Sequence, residues 1–186
     1  MRGLVVGLVG LLLVAGCSST QTMPAAEAPP VNGTPAAVSV ADPVRVTIPR
    51  LAVIDEIVPV GLEQNGEMEL PDVSEVGWYR FAPKPGEPGR AVLAGHVDWD
   101  GVDGAFKHLG DLRAGDELTI TDASGASRVF AVYDVQQIPK ADYQARTVPL
   151  VFGATGEREI ALVTCSGRVV QHDYLDNTVV SARLAS

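Results

Sequence analysis

The sequence predicts an all-β domain that closes, or nearly closes, into a barrel. Three observations carry this expectation. Short apolar–polar runs of period two recur from residue 43 onward, glycine- and proline-rich turns separate them, and apolar spacing of helical period is scarce. Val44-Arg45-Val46-Thr47-Ile48 alternates and reads as the first strand, and Ile57-Val58-Pro59-Val60 as a second. Asn65-Gly66 is a turn signal between Leu62 and Leu70. Val76-Gly77-Trp78-Tyr79 reads as a short aromatic strand, and residues 83–89, with Pro85-Gly86 and Pro88-Gly89, as a rigid loop. Residues 90–97 form an apolar strand, Ala91-Val92-Leu93-Ala94, that ends at Gly95-His96. Residues 117–121 and 128–135 alternate around Ser124-Gly125, which predicts a hairpin. Residues 159–164 contain Ile160-Ala161-Leu162-Val163 and end at Cys165, and residues 177–184 close the chain with Val179-Val180. Helical turns are expected only at 104–112 and 140–144, so one or two short helices accompany the strands. There is no internal repeat.

Composition narrows the function classes. The chain has 186 residues, enough for one domain plus extensions, and its 46% hydrophobic content supports a buried core. The net charge of −9 argues against nucleic acid as a partner, because phosphate binding needs a basic surface. It also offers no attraction to anionic lipid, and reads as ordinary solubility. Cys17 and Cys165 are the two cysteines, and their contexts differ too much to suggest a pair.

The N-terminus reads as an address. Arg2 precedes an apolar run from residue 4 to 15, short of the ~20 residues of a membrane span but matching the apolar core of a signal peptide. The run ends in Val14-Ala15-Gly16-Cys17, which resembles the lipobox of bacterial lipoproteins. That resemblance implies lipidation of Cys17 and cleavage before it. Residues 1–16 are then a signal peptide, and the lipid on Cys17 holds the chain at the extracellular face of the cytoplasmic membrane. An ordinary signal peptide or an uncleaved anchor is the alternative, and each also puts the domain outside the cytoplasm. Residues 17–42 are rich in Ser, Thr, Pro and Ala, include Pro29-Pro30 and lack apolar periodicity, so they read as a flexible tether. Residues 43–186 are the folded domain.

Two strings carry the chemistry: Leu93-Ala94-Gly95-His96-Val97-Asp98-Trp99 and Ala161-Leu162-Val163-Thr164-Cys165-Ser166-Gly167. Each sets one reactive side chain at the end of an apolar strand, a rigid mount that still reaches solvent. A thiolate attacks a carbonyl while an imidazole manages the protons. On the residues alone, this reading stands level with a buried structural cysteine and histidine. His108 and His172 lack metal-ligand spacing and read as surface residues. Asp98, Asp100 and Asp103 near His96 read as a solvated loop in preference to a Ca²⁺ site. No nucleotide, metal or redox cofactor is implied.

Ala94-Gly95-His96 together with Leu162-Val163-Thr164-Cys165 resembles the paired motifs of sortases. Trp78-Tyr79, Pro85-Gly86, Gly89, Gly104-Ala105-Phe106, Leu109 and Gly115-Asp116 fall in that family's order. Asp176-Asn177-Thr178-Val179-Val180 is similar to the actinobacterial class F group, and the likeness runs from about Val44 to Leu184. The resemblance implies an eight-stranded β-barrel and a transpeptidation. Cys165 attacks the Thr–Gly carbonyl of an LPXTG-like sorting signal, and His96 protonates the leaving amine. An amine of a peptidoglycan precursor or a pilin then resolves the thioester. Thr164 would shape the groove floor, and residues 138–157 would help grip the signal. Sortases usually add an arginine on the last strand, and here the sequence departs from the pattern. Asn177 falls at or beside that position, while Arg168 and Arg183 are the neighbouring cations. The competing readings are a thiol hydrolase of the same fold and an inactive lipid-tethered binding module. An L,D-transpeptidase would need an SHGC-like string, which the chain lacks.

Overall fold

The computed structural model describes residues 39–64 and 68–186. Cys17, the apolar leader, most of the tether and the Asn65-Gly66 turn lie outside the described residues. The strands are β1 (Pro43–Ile48), β2 (Val53–Val60), β3 (Val76–Tyr79), β4 (Gly89–Ala94), β5 (Asp98–Trp99), β6 (Val102–Asp103), β7 (Glu117–Asp122), β8 (Ser127–Pro139), β9 (Arg158–Val170) and β10 (Asp173–Leu184). One short α-helix, α1 (Val148–Phe152), precedes β9. Eight strands close the expected barrel in the order β1-β2-β3-β4-β9-β10-β8-β7, and β5 and β6 form a small separate ribbon. Two neighbouring pairs are parallel, β2 with β3 and β4 with β9.

Alternation decides which side chains enter the barrel. Val46 and Ile48 of β1, Leu93 of β4, Leu118 and Ile120 of β7, and Ile160 and Leu162 of β9 share the interior core with Phe106 and Leu109. Burying each large side chain contributes about 1.5–3 kcal/mol. The intervening residues of β4 and β9 are not solvated. Val92, Ala161 and Val179 form a second apolar cluster on the outer face with Ile138, and Val151 of α1 covers it. Burial on both faces explains the unbroken apolar runs of β4 and β9, where half-buried β1 and β7 alternate.

The covering segment is pinned to the barrel. Arg90 and Glu159 are partners in the β4–β9 register. The guanidinium bonds the buried Glu159 carboxylate at 2.6 Å and also donates to the Leu150 and Pro149 carbonyls beside α1. At the other end of the domain, the N-terminal packing takes in Val40, which is buried and accepts from Lys84 Nζ at 3.0 Å.

Three expectations about elements are corrected. The strand predicted to end at Cys165 runs on to Val170, and the one predicted to end at Val135 runs to Pro139. The continuation of β9 is held by β10, and a bulge sets Gly167 and Arg168 against Leu175, with Gly167 at φ 81°. The β9–β10 turn is Gln171-His172, both at positive φ (51° and 70°), a hairpin turn without its usual glycine or asparagine. The helical stretch expected at 140–144 extends through a 3-10 turn and a π turn into α1, ending at Phe152. Among the described residues, no helix is long and apolar enough to cross a membrane.

Candidate active site

The two motifs meet because β4 and β9 are parallel neighbours. Ala94 pairs with Val163, and Gly95 N–H donates to the Val163 carbonyl at 3.2 Å before the strands part. His96 and Cys165 each follow that last paired position by two residues, so they stand level on adjacent chains. Val92 and Ala94 alternate onto the outer face, as do Ala161 and Val163, and His96 and Cys165 continue those rows. Thr164 points the other way. Its buried hydroxyl donates to the Gly95 carbonyl at 2.8 Å and ties the strand of Cys165 to the residue before His96.

The histidine backbone is held from behind. Phe106 N–H donates to the His96 carbonyl at 2.9 Å, and Gly104 N–H to Val97 at 3.0 Å. A Cβ on Gly104 would lie 2.2 Å from the His96 oxygen, so only glycine fits this approach. This contact explains why the Gly95-His96 and Gly104-Ala105-Phe106 strings occur together. His96 Nε2 lies 3.2 Å from the Pro71 carbonyl. A carbonyl only accepts, so Nε2 carries the hydrogen and Nδ1 is left for proton exchange. Trp99 flanks the ring, with centroids 5.5 Å apart.

Cys165 is a free, half-buried thiol. Asn177 lies directly opposite it on β10, and Ile138 lies opposite Asn177 on β8, so the three form one cross-strand row on the outer face. His96, Thr164, Cys165 and Asn177 all line one cavity of about 920 Å³, with walls that include Met68, Leu70, Trp99, Val163 and Val169. Burial pushes the thiol's pKa up. Lys140 pulls it down, and the carboxylates of Asp173 and Asp98 add to the upward shift.

Lys140 was not singled out by sequence reasoning. Its ammonium pairs with Asp173 at 2.6 Å, and its charge also acts on the Cys165 thiol. Burial works against that charge, yet Asp173 and the thiol hold the lysine's pKa above its ordinary value. Tyr174 was also missed. Its hydroxyl donates to Asp98 at 2.6 Å and, as the largest cause, holds that carboxyl below its usual range. This bond ties the β5–β6 ribbon to the β9–β10 hairpin beside the cavity. Nothing local marked either residue, because both contacts depend on strand order. In the acidic loop, Asp98 and Asp103 share Lys107 Nζ at 3.3 and 3.0 Å. Among the described residues, no group of three His, Cys, Asp or Glu side chains is arranged to hold a metal ion.

The remaining predicted positions separate. Asn177 is buried opposite Cys165, whereas Arg168 is exposed on the bulge and does not line the cavity. Arg183 lies over the Tyr133 ring at 4.6 Å and pairs in register with Glu159, well along β10 from the thiol. His172 sits at the hairpin tip and lines the cavity, while His108 lies exposed beside Asp111 at 3.3 Å.

Comparison with known proteins agrees with this architecture. Residues 46–185 match the sortase domain family. Similar solved structures include sortase C1 of Streptococcus agalactiae (TM-score 0.59, 16% identity, 77% of this chain and 67% of that one). A lid mutant of sortase A from Corynebacterium diphtheriae gives TM-score 0.60 at 17% identity, over 82% and 74% of the two chains. Sortase C-1 of Actinomyces oris gives TM-score 0.58 at 22% identity, over 78% and 76%. No curated protein matches the chain in sequence.

Proposed function

The chain belongs to the sortase family, and from that premise we propose that it is a cysteine transpeptidase acting on an LPXTG-like sorting signal. The supporting observation is the level placement of Cys165 and His96 on adjacent parallel strands at one cavity. The reaction runs in two acyl transfers. The thiol proton passes to the imidazole, and sulfur attacks the Thr carbonyl carbon of a Thr–Gly bond. As the tetrahedral intermediate collapses, the C–N bond breaks and the imidazolium protonates the departing amine. The acyl group is left as a thioester on Cys165. An incoming amine then attacks, gives its proton to His96, and expels the thiolate with a new amide bond. The apolar walls formed by Leu70, Trp99 and Val169 suit the Leu and Pro side chains of such a signal. Buried Asn177, opposite the nucleophile, is positioned to donate an uncharged hydrogen bond to substrate.

The acceptor amine belongs to a peptidoglycan precursor or a pilin on this reading. The class F likeness, the lipid on Cys17 and residence at the extracellular face of the cytoplasmic membrane form part of the same proposal. Mass spectrometry of the mature N-terminus tests the last two, and a start beyond Cys17 rejects them.

The enzymatic test incubates the full chain with an LPXTG peptide library, with and without an amine. Ligated product is expected with amine, none with Cys165→Ala, and about 10²–10⁴-fold less with His96→Ala. Hydrolysis without ligation would make the protein a thiol hydrolase. Failure of a sorting-motif vinyl sulfone to label Cys165 would make it a binding module.

A further inference from the structure

Resting on the transpeptidase reading, we propose that Lys140 is a catalytic residue: its ammonium is the counter-ion of the Cys165 sulfur, entering the site from β8 across β10.

Strand order carries the argument. β10 lies between β8 and β9, and the row Ile138, Asn177, Cys165 crosses all three on the outer face. Lys140 follows Ile138 by two residues and opens the 3-10 turn just beyond the end of β8 at Pro139. Its stem reaches the start of β10, where Nζ bonds Asp173 Oδ1 at 2.6 Å, close enough to the Cys165 thiol for each to shift the other's titration. Asp173 immediately follows the Gln171-His172 turn and lines the same cavity as the thiol. One carboxylate thus holds the lysine beside the cavity that contains the sulfur. The side chain is 34% exposed, enough for water to help keep it charged.

The other cations of the neighbourhood do not serve. Among the described residues, no arginine lines the cavity, and Lys140 reaches it through Asp173, which does. Arg168 is exposed on the bulge, Arg183 is stacked on Tyr133, and Asn177 opposite the thiol is neutral. The titratable groups facing Cys165 are His96, Asp98, Asp100, His172, Asp173 and Tyr174 from the cavity wall, with Lys140 behind them on Asp173. Burial and the two acids Asp173 and Asp98 favour a neutral thiol, and Lys140 opposes them. When the sulfur attacks a carbonyl, negative charge moves from sulfur to an oxygen two atoms away. An ammonium on a flexible four-carbon stem can follow that movement, and it keeps its own protons throughout.

The test compares Lys140→Met, Lys140→Arg and Asp173→Asn in the full chain. The readout is the pH dependence of Cys165 alkylation by iodoacetamide, resolved by mass spectrometry so that Cys17 does not contribute. Lys140→Met is expected to move the midpoint to higher pH by about one unit and to slow alkylation at neutral pH about tenfold. Lys140→Arg should restore most of the rate. Asp173→Asn, which removes a negative charge, should shift the midpoint the opposite way, a pattern that general disruption of the hairpin would not produce. With sorting peptide, Lys140→Met should lower kcat at least tenfold and change KM less than threefold, about half a log unit. An alkylation profile for Lys140→Met that superimposes on the wild type overturns the assignment, whatever the peptide assay gives. A shifted profile in a chain that yields no ligated product keeps Lys140 as counter-ion and rejects the transpeptidase reading instead.

Discussion

Arg90→Ala tests whether the segment covering the outer face is held as described. The guanidinium is the ion-pair partner of Glu159, whose side chain is only 5% exposed, and it also donates to the Pro149 and Leu150 carbonyls. Removing it strands a buried carboxylate, a change that costs about 3–5 kcal/mol. Because 1 kcal/mol moves Tm by about 2–4 °C at this size, the expected loss is roughly 6–20 °C. Glu159→Gln in the Arg90→Ala background removes the stranded charge and should recover part of the loss. Urea unfolding is the assay, followed by the fluorescence of Trp78, which is 4% exposed in the core. The variant should also raise KM for the sorting peptide more than it lowers kcat, since it loosens α1 over the face that carries Cys165 and leaves the thiol in place. A loss below about 1 kcal/mol at unchanged denaturant slope would refute the reasoning, as would a double variant no more stable than Arg90→Ala.

Three further perturbations probe the mounts of the site. Thr164→Val keeps the shape but leaves the Gly95 carbonyl without its 2.8 Å donor, so it should lose about 1–3 kcal/mol in urea unfolding and reduce turnover, with Thr164→Ser restoring both. Gly104→Ala drives a Cβ into the His96 carbonyl, and the displaced imidazole should cost about 100-fold in kcat while far-UV circular dichroism is unchanged; normal turnover would show that His96 is not held there. Asp122 is buried, and its bonds from Ser124 and then Arg128 hold its pKa at about 2, below the ordinary 3.8. A carboxyl depressed in the folded state stabilises above the ordinary value and loses that contribution as pH falls through the folded one. Asp122→Asn should therefore remove about 2 kcal/mol at neutral pH and flatten the stability profile between pH ~4 and ~2, as read by chemical denaturation.

The sequence made some parts of this fold visible and hid others for identifiable reasons. Ala91-Val92-Leu93-Ala94 and Ile160-Ala161-Leu162-Val163 stood out because β4 and β9 are buried on both faces. The end of β9 was hidden because Ser166-Gly167-Arg168 looks like a loop and the Gln171-His172 turn has no glycine or asparagine. Residues 53–56 escaped because Asp55-Glu56 interrupts an edgeward stretch in which Ile54 is 69% exposed. The extent of the helical segment was masked by Pro149, which sits within the first turn of α1, where a missing N–H costs nothing. His96 and Cys165 were legible as the reactive residues that follow two apolar runs, although β9 continues past Cys165 to Val170. Lys140 was not, because a residue 25 positions before Cys165 comes near it only through β10, inserted between β8 and β9, whose Asp173 it bonds.

That insertion also gives the charges around the thiol separate tasks. The Asp98 carboxylate is engaged by Tyr174 and Lys107, and that of Asp173 by Lys140. Each acid therefore fixes one hairpin of the cavity, and its field at the sulfur is partly cancelled by its own partner. The lysine differs, since it pairs with an acid and its charge also acts on the sulfur. With the cavity open, burial outweighs the lysine and the thiol rests neutral, while His96 Nε2 rests on Pro71. On the transpeptidase reading, a sorting signal that fills the apolar walls expels water and strengthens every charge interaction that remains. The ammonium then gains most, because its partner becomes anionic only as the proton leaves for His96. The same low dielectric that keeps the resting thiol unreactive thus favours the ion pair once substrate is seated, and it makes the reactivity of Cys165 dependent on what occupies the cavity.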